Sequence, residues 1–330
     1  MASITTSRIR QFNSTSDKFA LKNTLKGILH CSNEEVRLRK SRRGSYIIYS
    51  NYITSKLKFQ CYESVTYATQ GEYMYLYNLL EVAERWKGPV SASVYCPGGD
   101  YNNSMETILY LTNCYKTDII SQFVTFHLIF HQDHLPSSIY PAEFLRKFIR
   151  VNCSDGPPWI NRISYRSEND LIYPVNVLRN TAKYASPTHF HLMSDIELYP
   201  SSNVIPKFLT LIANNKSLLD VTTPQVFVLP IFEVEENEVA PNSKNELIEL
   251  VRKKRANRFH QYICGHCQRI PQFDKWLVTP ENTTLSILTT TKREKGMSRA
   301  EPLFIGTKLD PEYDERLSWE GRNDKKTQVI

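Results

Sequence analysis

Apolar positions along this chain fall into two recurring patterns, and their alternation predicts a fold class before any single residue is considered. Leu76, Leu79, Leu80 and Ala83 recur at helical spacing and stop at Trp86 and the breaker Gly88-Pro89. Residues 90–95 (VSASVY) then read as a strand, closed by Cys96-Pro97-Gly98-Gly99. Met105, Ile108, Leu109 and Thr112 mark a second helix with Ser104 as its N-cap, and residues 123–130 (FVTFHLIF) a buried strand. Pro141 and Pro174 each suit the first turn of a helix. The first would carry Phe144, Leu145, Phe148 and Ile149 inward; the second, Val175, Leu178, Ala182 and Ala185. Strands at 189–193 and 226–234 and helices at 204–212 and 246–255 complete the series. Short strand–helix–strand connections predict an α/β fold with a mostly parallel central sheet flanked by helices. Ligands of such sheets sit beyond the carboxyl ends of the strands, here the loops after Tyr95 and after Met193.

Residues 1–44 lack this alternation and read as a polar, basic lead-in or stem remnant, leaving 45–330 as one domain. A 41% hydrophobic and 12% aromatic content is enough for a core of that size. The net charge of +7 is scattered. Its densest runs, 37–43 (RLRKSRR) and 252–255 (RKKR), read as solvated faces or loops, and no nucleic-acid-binding motif accompanies them. No nucleic-acid partner is expected. No apolar stretch reaches the roughly 18 residues of a membrane span. The opening MASITTSRIRQ lacks the hydrophobic region of a signal peptide, which describes either a cytosolic protein or a chain without its N-terminal anchor. Seven cysteines cannot all pair internally, and sequons at Asn13, Asn102, Asn152, Asn215 and Asn282 lean weakly towards a secretory location.

The candidate chemistry lies after residue 193. Asp195-Ile196-Glu197 sets two carboxylates one residue apart directly behind a hydrophobic strand. In an extended segment, positions i and i+2 point the same way, so both reach one point. Two hard oxygen donors beside a diphosphate suit Mn²⁺ or Mg²⁺. The preceding helix offers Asn176, Arg179, Asn180 and Lys183 on its polar face, either to approach phosphates and carboxylates or simply to meet solvent. Cys264-Gly265-His266-Cys267 matches a redox dithiol but lacks the surrounding βαβ pattern and any second zinc-ligand pair, so a local disulfide or unpaired thiols is the stronger reading. His127, His131 and His134 read as one core and two surface histidines. His189 and His191 share a strand face near the acidic loop, either packed or supporting it.

The stretch 173–200, YPVNVLRNTAKYASPTHFHLMSDIELYP, resembles glycosyltransferase family 49, as do residues 86–98 (WKGPVSASVYCPG), 264–276 (CGHCQRIPQFDKW) and 301–328. These blocks stand in order across residues 45–328. The resemblance implies a GT-A-like nucleotide-diphospho-sugar transferase fold, a membrane-anchored relative of the Golgi lumen, and inverting transfer from a UDP-sugar, UDP-glucuronate in the best-known members, to a glycan acceptor in protein O-glycosylation. It implies Mn²⁺, with Mg²⁺ as substitute, on a D-x-D motif that maps to Asp195 and Glu197, here with Glu in second place. It places Tyr95 and Cys96 at the end of the first strand, where the nucleotide is held, and Arg179 and Asn180 on the donor side. An aromatic residue of the loop 317–324 would stack on sugar while an acid acts as base, Asp324 first and Glu320 second. The family's sequence continues past Ile330 into a further strand and a histidine expected to complete the metal site. The alternative is a shortened, inactive member that binds a glycan or another glycosyltransferase.

Overall fold

The computed structural model describes residues 15–219, 225–265, 270–292, 301–321 and 324–325. Its strands are β1 (Arg39–Arg43), β2 (Tyr46–Ile53), β3 (Val65–Gly71), β4 (Val90–Tyr95), β5 (Val124–His131), β6 (Phe190–Met193), β7 (Phe227–Leu229), β8 (Phe232–Val234), β9 (Ala256–Arg258) and β10 (Leu303–Thr307). The helices are α1 (Thr15–Leu29), α2 (Asn78–Trp86), α3 (Asp100–Asn113), α4 (Ile119–Phe123), α5 (Leu145–Phe148), α6 (Tyr165–Glu168), α7 (Val175–Tyr184), α8 (Val204–Asn214), α9 (Lys244–Arg252) and α10 (Phe273–Val278). None of the described helices is long and apolar enough to cross a membrane.

Eight strands form one sheet in the order β1-β2-β5-β4-β3-β6-β10-β7. β5, β4, β3 and β6 pair in parallel. β2 and β10 alone run against the others, so the sheet is mostly parallel, as expected of a GT-A-like fold. Strand order rises from β3 through β4 to β5 on one side and jumps to β6 on the other. The topological switch therefore lies between β3 and β6, and the crevice beyond their carboxyl ends is where a ligand belongs.

Period-two alternation sorts the strands onto two cores. Val90, Ala92 and Val94 of β4 and Val124, Phe126, Leu128 and Phe130 of β5 face a large core with α2, α3 and α8. Tyr95 and Ile129 face the other side, against Val177 and Leu178 of α7. From residue 15 onward the lead-in joins this architecture; residues 1–14 lie outside the described residues. Leu21, Leu25 and Leu29 of α1 lie in the large core, β1 is an edge strand, and a Cys31–Cys61 disulfide ties the segment down. The basic run 37–43 is largely that exposed edge strand.

Three other expectations shift. Ser104 sits inside α3, where its hydroxyl donates to the Asp100 carbonyl at 2.7 Å, so the helix starts earlier than its apolar stripe. Residues 226–234 form two strands of different sheets, because Pro230 breaks the run. Of the helix after Pro141 only a short turn and α5 form, with Leu145 buried and Phe144 exposed.

His127 is the core histidine. Its Nδ1 accepts from the Asn51 N–H at 2.8 Å, so its Nε2 carries the proton towards Ser91 Oγ, also at 2.8 Å. Ser91 in turn donates to the Ala182 carbonyl of α7 at 2.7 Å. Burial pushes the His127 imidazole down to about 3; burial, then Lys183 and Lys308, does the same to His191 on β6. Both are neutral in the folded chain where the unfolded chain protonates below about pH 6.5. The unfolded state then binds more protons, so stability falls as pH drops from about 6.5 towards 3. Urea melts should show a loss of roughly 2 kcal/mol per histidine between pH 7 and 5, and replacing either one should flatten that slope by about half.

Candidate active site

The crevice is built from the ends of β3 and β6 and from one face of α7. At the end of β6 the chain turns, with the Leu198 N–H donating to the Asp195 carbonyl at 3.1 Å. The acidic triplet is thus a turn and not an extended segment. Ile196 is buried beside Gly71, where an added Cβ would lie 3.3 Å from its Cδ1, while Glu197 is exposed. Tyr67 of β3 pins the turn by donating to the carbonyls of Asp195 at 3.0 Å and Leu198 at 2.6 Å.

Asp195 is held on both carboxylate oxygens. Arg179 Nη2 donates to Oδ1 at 3.0 Å, Lys325 Nζ to Oδ2 at 2.6 Å, and Gln70 Nε2 reaches Oδ1 at 3.5 Å. Burial opposes the Asp195 charge, but Lys325 and Arg179 outweigh it and hold the carboxyl well below the usual range. The Glu197 carboxyl is pushed up, first by desolvation against the turn and then by the Asp195 charge. Glu197 therefore lies within electrostatic reach of Asp195. A pocket opens beside them, lined by Met193, Ser194, Leu198, Phe304, Tyr313 and Lys325 among others.

The polar face of α7 is not solvated. Asn176, Arg179, Asn180 and Lys183 are all at most 1% exposed. They clasp a strap whose described residues are 310–321 and 324–325. Lys183 donates to the Asp310 and Pro311 carbonyls, Asn180 exchanges hydrogen bonds with the Tyr313 backbone at 2.9 and 3.0 Å, and Asn176 reaches the Asp314 and Asp324 carbonyls, each at 2.9 Å. Arg179 also pairs with the Asp324 carboxylate. The turn into the strap leaves β10 at Gly306, where any Cβ would collide with Asp310 Oδ2 at 2.1 Å, the oxygen that caps the Thr307 N–H.

The predicted site residues divide accordingly. Asp195, Glu197, Arg179 and Asp324 come together. Asn180 is taken up by the strap. Glu320 lies on the rim next to Trp319, which is 55% exposed. Partial burial works against the Glu320 charge, yet the Tyr173 N–H at 3.0 Å and Arg166 hold its carboxyl below the usual range. Asp324 is 7% exposed and turned into its ion pair. Tyr95 and Cys96 stand at the end of the second parallel strand, not the first. The Cys96 thiol lies in the core against the Val94 and Ile129 carbonyls, and Tyr95 packs between Tyr46 and Tyr173, so neither side chain faces the crevice. His191 is buried with neither ring nitrogen hydrogen-bonded among the described residues, and His189 stacks edge-on against Phe190. Of the dithiol, Cys264 is disulfide-bonded; His266 and Cys267 lie outside the described residues.

Sequence reasoning missed Gln70, Tyr67 and Lys325. The first two sit on β3, whose polar side chains concealed a central strand; nothing near Lys325 signals its role.

The family model described as a glycosyl-transferase for dystroglycan matches residues 64–330, and the chain belongs to that glycosyltransferase family. It is similar to beta-1,4-glucuronyltransferase 1 of Danio rerio, 25% identical over 297 residues, which is 85% of this chain and 66% of that protein. The Homo sapiens counterpart is 24% identical over 291 residues with the same coverage. Xylosyl- and glucuronyltransferase LARGE1 of Gallus gallus is 28% identical over 155 residues, 46% of this chain and 18% of that protein. The chain thus spans just under two thirds, 66%, of the beta-1,4-glucuronyltransferase relatives.

Proposed function

We propose that this chain carries out metal-dependent, inverting transfer of a sugar, glucuronate by analogy with its relatives, from a UDP-sugar to a glycan hydroxyl in protein O-glycosylation. The observation that carries the reading is Asp195, a strongly ionised carboxylate at the switch point between β3 and β6. Among the described residues no three His, Cys, Asp or Glu side chains converge on one ion position. The donor set is Asp195 with Glu197, and it fits Mn²⁺ or Mg²⁺, which take one or two carboxylates when phosphate and water supply the rest. A divalent ion there would neutralise charge developing on the departing nucleoside diphosphate.

This chain's own residues supply the remainder. Arg179 fixes Asp195 from behind. Trp319 offers an exposed ring for an acceptor sugar. Glu320, ionised and at the rim, is better placed than Asp324 to take the proton of the attacking hydroxyl, because Asp324 is committed to Arg179. The Cys31–Cys61 and Cys114–Cys153 disulfides, the disulfide-bonded Cys264, and exposed sequon asparagines at 102, 152, 215 and 282 support an oxidising compartment, for which we propose the Golgi lumen.

One observation favours a second reading, a non-catalytic member that binds glycan or a partner transferase. Lys325 Nζ lies 2.6 Å from Asp195 Oδ2, where an ion would bind. Calorimetric titration with UDP and UDP-glucuronate, with and without Mn²⁺, separates the two. Transfer requires Mn²⁺-dependent binding. A folded chain that binds neither nucleotide leaves the second reading.

A further inference from the structure

A run of aromatic rings, all but one reaching the surface, lies where α2 meets the acidic turn, and nothing in the site described so far uses it. It starts two residues beyond Glu197, at Tyr199, whose hydroxyl donates to Asn78 Oδ1 at the start of α2. Tyr77, the preceding residue, stacks on Trp159 with ring centroids 5.9 Å apart. Trp159 meets Tyr110 edge-on at 5.6 Å, and Tyr110 meets Tyr115 at 6.2 Å. Tyr199, Tyr77 and Tyr115 are 38–43% exposed and Trp159 is half-buried, while Tyr110, 8% exposed, is the buried ring that backs Trp159 and Tyr115. The loop that carries Trp159 is fixed by Arg162, which donates to Asn103 and Glu106 of α3, each at 2.7 Å.

We infer that this track is an extended acceptor subsite that binds the successive rings of an oligosaccharide leading to the acidic turn. The inference rests on the proposed transfer reaction and adds to it that the acceptor is a chain of several sugars. A pyranose has an apolar C–H face and a hydroxylated rim. Tyrosine and tryptophan match both, with an apolar body and a polar tip, and they lose little conformational freedom when already held by neighbours. The polar groups beside the rings, Asn103, Glu106 and Arg162, balance in charge. A single-stranded nucleic acid would stack on such rings too, but it requires a positively charged groove along its backbone. Continuity with the acidic turn through Tyr199 and Asn78 gives the track its direction. A peptide partner would depend instead on Ile160 and Ile163, which are exposed in the Trp159 loop.

The test uses the full chain on an array of oligosaccharides running from disaccharides to longer linear chains, with UDP and Mn²⁺ titration in parallel. Longer glycans should be retained more strongly than disaccharides. Tyr77→Ser and Trp159→Leu should each weaken that retention about tenfold while leaving nucleotide titration near wild type. Tyr77→Ser should also keep the melting temperature, whereas Trp159→Leu, which thins packing on Tyr110, should lower it by a few degrees with the chain still folded. Ile163→Ser should change nothing. Retention that is equal in wild type and both aromatic variants overturns the subsite. So does loss confined to Ile163→Ser, or a folded wild-type chain that retains no glycan. Glycan retention sensitive to Tyr77 and Trp159 without nucleotide binding would sink the transfer reading and leave the track standing.

Discussion

Asp195→Asn is expected to lower sugar transfer by about a thousandfold and to abolish the Mn²⁺ dependence of UDP binding, with the chain still folded. The substitution keeps the shape of the side chain and its hydrogen-bonding oxygen but removes the charge a divalent ion needs. Folding should survive because Arg179 retains its second partner, the Asp324 carboxylate. Glu197→Gln should cost far less, about tenfold, since Glu197 is exposed and its carboxyl is already pushed up. Initial rates over a range of Mn²⁺ concentrations, with melting curves alongside, separate lost chemistry from lost structure. Rates for Asp195→Asn within a few-fold of wild type would remove Asp195 from the metal site.

Arg179→Met should act on stability before it acts on chemistry. The guanidinium side chain is 2% exposed and serves two carboxylates that are themselves only 16% and 10% exposed. Deleting one partner of such a buried pair leaves charge without compensation, at a cost of about 3–5 kcal/mol. In a chain of this size that lowers Tm by roughly 5 °C. Adding Asp324→Asn to Arg179→Met should recover part of the loss, because one of the stranded charges is then gone. A differential scanning experiment on the single and double variants decides the matter. If Arg179→Met melts with wild type, the strap is not latched through this residue.

The legible part of the fold was the part whose cover is apolar. Residues 90–95 and 123–130 alternate or run apolar because they sit between the two cores, and their strands form where the pattern placed them. β3 was hidden, although it is the central strand. Its Thr66, Ala68 and Gln70 face α7, where the cover is a helix and a polar strap, so an apolar run was never required. The α1 helix did carry a signal, Leu21, Leu25 and Leu29 at four-residue spacing, but basic and polar neighbours outweighed it. The acidic turn was found from its place after a strand. The role of the α7 face was not, because its partners lie more than 120 residues further along the chain. Polarity announces a face; it does not say whether water or backbone will meet it.

The contacts between α7 and the strap are uneven in kind. Lys183, Asn180 and Asn176 bind carbonyl oxygens of Asp310, Pro311, Tyr313, Asp314 and Asp324, groups that every amino acid possesses. Strap side chains enter these polar contacts at three positions: Asp324 pairs with Arg179, Glu315 accepts from Asn180 at 2.9 Å, and Glu312 accepts from the Tyr184 hydroxyl at 2.5 Å. The helix is therefore the demanding partner and the strap the permissive one. Evolution can rewrite most of the strap, and with it the rim carrying Trp319 and Glu320, without disturbing the latch. A family that needs to change acceptors while keeping its donor machinery has, in that asymmetry, a segment free to diverge beside a helix that is not.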